Sequence, residues 1–290
     1  MITERARAKI NLSLHVTGKR ADGYHLLDSV VGFTAFGDEL TFKHADEFSL
    51  KIDGPFGAGL ETDADNLVLR AARALAQLKP DIFTGAEMSL RKNLPVASGI
   101  GGGSADAAAA LRGLIRLFGT EIDDDALSAV ALTLGADVPV CLASRTCRMR
   151  GIGERIDFLN TLPECPMVLV NPGVEVSTPA IFRALDGKFG NPLDIADESF
   201  SDVADFADWL ATQRNDLQMP AISIEPVIAD VVSALERDEN CLLARMSGSG
   251  ATCFGIYDTH TEAEAAADAL KAVHPNWWIS ATYSLSAADG

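Results

Sequence analysis

Apolar and polar residues alternate from Ala8 to Val16, with Ala8, Ile10, Leu12, Leu14 and Val16 set against Lys9, Asn11, Ser13 and His15. A period of two marks a half-buried strand. It puts Lys9 and Asn11 on one face, about 7 Å apart. Residues 18–29, GKRADGYHLLDS, predict a loop with glycine at both ends of a basic turn. Short strands are predicted at 39–43, 48–52 and 87–92, with a Gly/Pro loop at 54–59. Between them, Leu67, Val68, Ala71, Leu75 and Leu78 form one stripe of an amphipathic helix over 63–78, opened by aspartate.

Residues 94–119 read as a glycine-rich loop running into a helix. Ala107, Leu111, Leu114, Ile115 and Phe118 give that helix its apolar face, and Gly119 is its stop. Residues 123–142 predict a helix, a break at Gly135 and an irregular segment carrying Asp137. A glycine-turned hairpin is predicted at 148–159 and an apolar strand at 166–173. Thr178 is the expected N-cap of a helix over 177–185, with Pro179 at its first position. Mixed helix and loop is expected over 186–208, and a helix over 225–237. A second glycine-rich turn leads into a strand within 246–258. A helix over 259–273 is predicted to open on a capping box of Thr261 and Glu264, and a strand follows over 277–285. Strands and then helices, in two blocks, predict an α+β protein of two domains with a boundary near 155–165.

Composition narrows the class. The 290 residues are 48% apolar and 22% charged, which suits a soluble two-domain protein needing no disulfide or metal staple. No run of 18 apolar residues occurs, and MITERARAKI lacks the apolar stretch of a signal peptide. A cytoplasmic protein with no membrane association is expected. Five cysteines without a C-x-x-C pair, and five histidines without a metal-binding spacing, argue against a disulfide framework or a zinc site. A net charge of -17 repels nucleic acid. The charge is uneven. Arg5, Arg7, Lys9, Lys19 and Arg20 face only Glu4 within 1–20, while residues 186–208 carry seven acidic residues against Lys188. A basic segment on an acidic protein suits a small anionic ligand.

The strongest motif is Gly99-Ile-Gly101-Gly102-Gly103-Ser104-Ala105-Asp106. Glycines let the backbone approach a ligand closely, and the helix that follows turns its free N–H groups and dipole back on the loop. Together these make a phosphate site. The G-x-x-x-x-G-K-[ST] pattern is absent, and G-x-G-x-x-G fails because Ser104 or Asp106 stands at its last position. Phosphoryl transfer also needs positive charge and a carboxylate near the acceptor. Lys9 and Asp137 are the candidates. The turn Ser247–Thr252 is either a tight turn before a strand or a backbone surface closing a site. Tyr24, His25 and Phe182 are candidate stacking groups for a base, or ordinary packing residues.

These segments, AKINLSLHVTGKRADGYH (8–25), LPVASGIGGGSADAA (94–108) and MSGSGATCFGIY (246–257), resemble the small-molecule kinases named for galactose, homoserine, mevalonate and phosphomevalonate, the GHMP kinases. LGADVPVCL (134–142) resembles the family's catalytic-aspartate segment. The resemblance implies a ribosomal-protein-like ATP-binding and catalytic domain over 1–160 and a ferredoxin-like α/β sandwich domain for substrate over 161–290. It implies ATP and Mg²⁺, with Asp137 as general base and Lys9 as its charged partner. Pro95, Val96, Ala97, Ser98, Gly99, Ile100, Gly101, Gly102, Gly103, Ser104 and Ala105 match the ATP phosphate loop, and Asn66 and Lys92 match positions near the nucleotide. The stretch R-x-D-G-Y-H implies 4-diphosphocytidyl-2-C-methyl-D-erythritol as acceptor, phosphorylated on its 2-hydroxyl. Asn11, Tyr24, His25, Thr178 and Phe182 match positions around it, with Tyr24 and Phe182 sandwiching the cytosine and His25 at its edge. Ala97 and Ser98 stand where many members carry glycine, and Val31 where some carry an aromatic residue. A monomer or homodimer acting on small molecules is expected. The rivals are a kinase with mevalonate or homoserine as acceptor, a non-catalytic nucleotide-binding protein, and a dinucleotide-dependent oxidoreductase.

Overall fold

The computed structural model describes residues 1–160, 162–195 and 199–286. Its contacts gather into two compact units, neither a consecutive half of the chain. The first holds Met1–Ala8, Gly37–Val96 and Gly101–Ser144; the second holds Lys9–Phe36, Ala97–Ile100 and the chain from Arg145 onward. In chain order the elements are β1 (Ile2–Asn11), β2 (His15–Lys19), β3 (His25–His44), β4 (Ser49–Asp53), α1 (Leu67–Leu78), β5 (Ala86–Arg91), α2 (Gly102–Phe118), α3 (Asp124–Leu134), α4 (Val138–Ala143), β6 (Cys147–Gly151) and β7 (Arg155–Phe158). They continue as β8 (Pro166–Asn171), α5 (Thr178–Ala184), α6 (Val203–Thr212), α7 (Gln218–Ile224), α8 (Val227–Glu236), β9 (Leu243–Met246), β10 (Cys253–Ile256), α9 (His260–Val273) and β11 (Trp278–Tyr283).

In the first unit, β5 runs parallel to β4 and antiparallel to the end of β3, with Glu39 opposite Arg91 and His44 opposite Ala86. Leu40, Phe42, Met88 and Leu90 from these strands are buried, as are Leu75 of α1 and Leu111 and Leu114 of α2. Helix α2 presses hard on the sheet: a Cβ at Gly113 would lie 2.2 Å from the Phe42 ring. Glu4 of β1 takes Arg112 and Arg116 of α2 as ion-pair partners.

In the second unit, β2 and the start of β3 form a hairpin, β6 pairs with β3 from Leu27 to Val31, and β7 pairs with β6. A separate antiparallel sheet has the order β11-β8-β10-β9. Its core joins Val168, Val170, Cys253 and Tyr257 to Val231 and Leu235 of α8 and Ala263 and Ala267 of α9. None of the five cysteines is in a disulfide; burial pushes Cys147 and Cys165 up to about 12.

Several expectations need correction. The strand predicted over 8–16 breaks at Leu12–Leu14, where Leu12 N bonds Val30 O and Leu14 N bonds Arg214 O. Lys9, Asn11, Ser13 and His15 are as buried as the apolar residues between them, so the segment is covered on both faces. Most of the predicted loop 18–29 is strand, because β3 begins at His25 and not near Glu39. Helix α1 starts after Asn66, whose side chain accepts from Val68 N, while Asp63 folds onto Asp65 N in a turn. Helix α2 starts at Gly102, and the segment after Asp137 is helical, not irregular. Ser177, not Thr178, stands at the N-cap of α5. Helix α9 opens on Thr259 and Glu262, one turn-setting pair earlier than Thr261 and Glu264. Helix α7 and strand β9 have no counterpart in the sequence reading. Residues 196–198 of the acidic stretch lie outside the described residues.

Candidate active site

The glycine-rich loop has a backbone of alternating hand. Ala97, Gly99 and Gly101 hold φ of 51°, 76° and 67°, so alternate residues lie in the left-handed region. That alternation aims neighbouring N–H groups into one concavity. The loop then becomes α2 through Gly101, with no side-chain cap and no acidic residue in the first turn. The helix therefore keeps its N-terminal donors and the positive end of its dipole for a ligand. Val96, Ala97 and Gly103 are exposed, and Gly99, Gly101, Gly102 and Ser104 partly so; Pro95, Ser98, Ile100 and Ala105 are buried.

Within the second unit the loop is braced by the other glycine turn. Ser98 O accepts from Thr252 N at 3.1 Å, and Ser247 Oγ donates to Gly99 O at 3.3 Å. A Cβ at Gly99 would lie 2.5 Å from Gly250 O, and one at Gly248 would lie 2.7 Å from Gly99 O. Two backbones meet where side chains have no room. Lys9 N donates to Ile100 O at 2.9 Å, which ties β1 to the same loop. Asn11 joins this region: its N–H donates to Ser247 Oγ at 3.0 Å and its Nδ2 to Ser29 Oγ at 2.8 Å.

Asp137 belongs to the first unit and Lys9 to the second. Asp137 sits at the start of α4 with φ -87° and ψ -9°, and its carboxylate does not cap that helix. This sparsely populated region of backbone space is where many active-site residues are found. Asn66 is spent locally as the cap of α1, with Nδ2 donating to Glu61 O at 2.8 Å. Lys92 is 3% exposed, and its Nζ lies 2.5 Å from Asp38 Oδ2 and 2.6 Å from Asp106 Oδ2. Burial alone would lower its pKa, but the two carboxylates outweigh that and raise it.

In the second unit, His25 stacks on Phe182 with centroids 4.6 Å apart, and Phe189 meets its edge. Tyr24 is 59% exposed on the turn before His25. Burial, then the Lys19 charge, lowers the His25 pKa, which favours a neutral ring. Thr178 Oγ1 lies 2.7 Å from Ser249 Oγ, which links α5 to the second glycine turn. Asp28 holds Arg148 through two hydrogen bonds of 2.8 and 2.7 Å and also accepts from Leu193 N.

Two family models match the chain, GHMP kinases N terminal domain over residues 66–145 and GHMP kinases C terminal over 195–276. A protein of Parvibaculum lavamentivorans named 4-diphosphocytidyl-2-C-methyl-D-erythritol kinase is 53% identical over 100% of this chain and 99% of its own. One of Ruegeria pomeroyi with the same name is 54% identical over 95% of this chain and 96% of its own. The chain belongs to the 4-diphosphocytidyl-2-C-methyl-D-erythritol kinase family. A crystal structure of 4-(cytidine 5'-diphospho)-2C-methyl-D-erythritol kinase superposes with a TM-score of 0.80 at 33% identity, covering 98% of this chain and 100% of that one. A homoserine kinase from Cytophaga hutchinsonii shares the fold, with a TM-score of 0.70 at 20% identity and coverage of 98% and 94%. The α+β, two-domain GHMP fold and the kinase class follow from membership. Among the described residues, no helix is long and apolar enough to cross a membrane.

Asp38 and Asp106 are not among the residues that the sequence marks out for the site. Asp106 stands in the glycine motif itself. Its signal is a charge among Ala105, Ala107 and Ala108 on the buried side of a helix, where an unpaired carboxylate would be costly. Asp38 carries no such signal, because its partners lie more than fifty residues away.

Proposed function

We propose that this chain transfers the γ-phosphoryl group of ATP to the 2-hydroxyl of 4-diphosphocytidyl-2-C-methyl-D-erythritol, yielding the 2-phosphate and ADP, in the methylerythritol phosphate route to isoprenoid precursors. The observation that carries the reading is the uncapped, glycine-built N-terminus of α2 at the end of a loop with three left-handed residues. The names its relatives carry supply the acceptor.

The loop Pro95–Ala105 holds the ATP phosphates, with backbone N–H groups after Pro95 as donors, and Asn66 and Lys92 stand near the nucleotide. Mg²⁺ entering with ATP would supply charge neutralisation to the phosphates. Among the described residues no group of three or more His, Cys, Asp or Glu is placed to hold a metal. Asp137 takes the proton of the acceptor hydroxyl as its oxygen bonds to the γ-phosphorus and ADP departs. Lys9 supplies positive charge to the ionised carboxylate and the transferring group. Asn11 and Thr178 contact the acceptor. Tyr24 and Phe182 take the faces of the cytosine and neutral His25 its edge, so His25 leaves the Phe182 ring when the base binds. In this reading residues 1–160 serve ATP and catalysis and residues 161–290 serve the substrate. The protein works in the cytoplasm as a monomer or homodimer.

A coupled ADP-release assay with Mg-ATP tests the reading. Turnover is expected with the cytidylyl substrate and not with methylerythritol phosphate, mevalonate or homoserine. No turnover with any acceptor, despite ATP binding, would leave the non-catalytic reading. Phe182→Ala is expected to raise KM for the acceptor roughly tenfold and leave KM for ATP alone, because a base loses one stacking face. Steady-state kinetics in both substrates check this; an equal rise in both KM values would remove Phe182 from the base site.

A further inference from the structure

The glycine-rich loop leaves the first unit after Val96 and rejoins it at Gly101. A buried polar cluster sits at its two ends. On the near side, Asp38 Oδ1 accepts from Asn93 N at 2.6 Å and Leu94 N at 2.8 Å, the last residues before Pro95. On the far side, Asp106 lies in α2 just beyond the motif. Lys92 Nζ joins the two, 2.5 Å from Asp38 Oδ2 and 2.6 Å from Asp106 Oδ2. The Lys92 backbone is fixed as well, its N–H donating to Asp53 O at 2.8 Å and its carbonyl accepting from Phe56 N at 3.1 Å.

The ammonium lies beneath the first residue of α2: a Cβ at Gly102 would sit 3.1 Å from Nζ. Two of its three donors point at carboxylates, and its side chain is 4% exposed. We propose that Lys92, held between Asp38 and Asp106, is a positioning residue for ATP, which staples the two ends of the glycine-rich loop and so sets the aim of its N–H groups without touching the nucleotide. This rests on the reading that the loop holds ATP.

Asp106 is the adjustable member. Both oxygens of Asp38 are hydrogen-bonded, whereas Asp106 Oδ1 is buried without a partner. Burial raises the Asp106 pKa against the pull of Lys92, so a neutral side chain is tolerated there. What the staple needs from position 106 is an oxygen that accepts from Lys92.

The test measures KM for ATP and for the acceptor in wild type, Asp106→Ala and Asp106→Asn, with thermal melts alongside. Asp106→Ala is expected to raise KM for ATP about tenfold or more and leave the acceptor KM in place, the usual scale for a lost charge-assisted hydrogen bond. Asp106→Asn keeps an oxygen facing Lys92 and is expected to restore most of the loss. A lysine that bound phosphate directly would be freed by Asp106→Ala, and KM for ATP would hold or fall; that result overturns the staple. So does an equal rise in both KM values, or an Asp106→Asn protein as impaired as Asp106→Ala. Should Asp106→Ala not fold, Asp38→Asn reads the same split, since its amide cannot accept from both Lys92 and the two backbone N–H groups. Wild type that neither binds nor consumes ATP would overturn the underlying reading; normal wild-type turnover with Asp106→Ala unchanged would overturn the staple alone.

Discussion

Asp137→Ala is expected to turn over roughly a hundred to ten thousand times more slowly than wild type, the range lost with a general base. Its melting temperature should stay close to the parent value. The structural reason is the geometry at the start of α4. An aspartate at a helix N-cap ordinarily bonds a free N–H of the first turn, and removing it costs about 1 kcal/mol. The Asp137 carboxylate makes no such bond. Alanine therefore removes chemistry and spares the cap. Asp137→Asn separates two ways the residue can act. In a loose phosphoryl transfer, orientation of the acceptor carries much of the effect, and an amide still orients. Single-turnover rates with saturating substrates decide: an asparagine protein as slow as the alanine one makes proton acceptance the essential act. Wild-type rates in both would remove Asp137 from the mechanism.

Gly99→Ala should destabilise the protein by about 2–5 kcal/mol, the sum of a left-handed alanine and an overpacked contact. Gly99 holds φ 76°, and its Cβ would fall 2.5 Å from Gly250 O, 2.7 Å from Gly250 N and 2.8 Å from Ser247 O. None of these is a flexible side-chain end, so one backbone must move. Gly119→Ala is the control. It shares a positive φ, 60°, but nothing lies within 4 Å of its added Cβ, so it should lose only about 1–2 kcal/mol. Urea midpoints of the two proteins compare the costs. Equal losses would mean that the second glycine turn yields to a methyl group, and that its close approach to the loop is not a constraint.

Local patterns made much of this protein legible. The stripe Leu67, Val68, Ala71, Leu75 set α1, and Gly119 ended α2 where its left-handed φ was expected. The hairpin of β6 and β7 also followed from its glycine turn. What failed depended on distant partners. Lys9, Asn11, Ser13 and His15 alternate with apolar residues as a solvated face would, yet all are buried; Asn11 Nδ2 meets Ser29 Oγ, Ser13 Oγ accepts from Val30 N, and His15 meets the Asn191 carbonyl. Two equivalent Thr-x-x-Glu spacings open α9, and sequence alone could not rank them. At the site, the glycine loop was visible because backbone constraints are written in glycines. The second glycine turn was legible only as one of two alternatives, and Asp38 was not legible, since it reaches Asn93, Leu94 and Lys92 only through the fold.

The second unit joins residues 9–36 to the chain beyond residue 145. This has a consequence during synthesis. Asn11 N waits for Ser247 Oγ, 236 residues later, and Val16 N waits for the Asp216 carboxylate, 200 residues later. At ordinary elongation rates of about 5–20 residues per second, those waits are roughly 12–47 s and 10–40 s. The segment from Lys9 to Val16 leaves the ribosome long before the residues that complete it. Until then its apolar residues, Ile10, Leu12, Leu14 and Val16, are open to the wrong partner, so it is the nascent chain, more than the finished enzyme, that needs protection from aggregation.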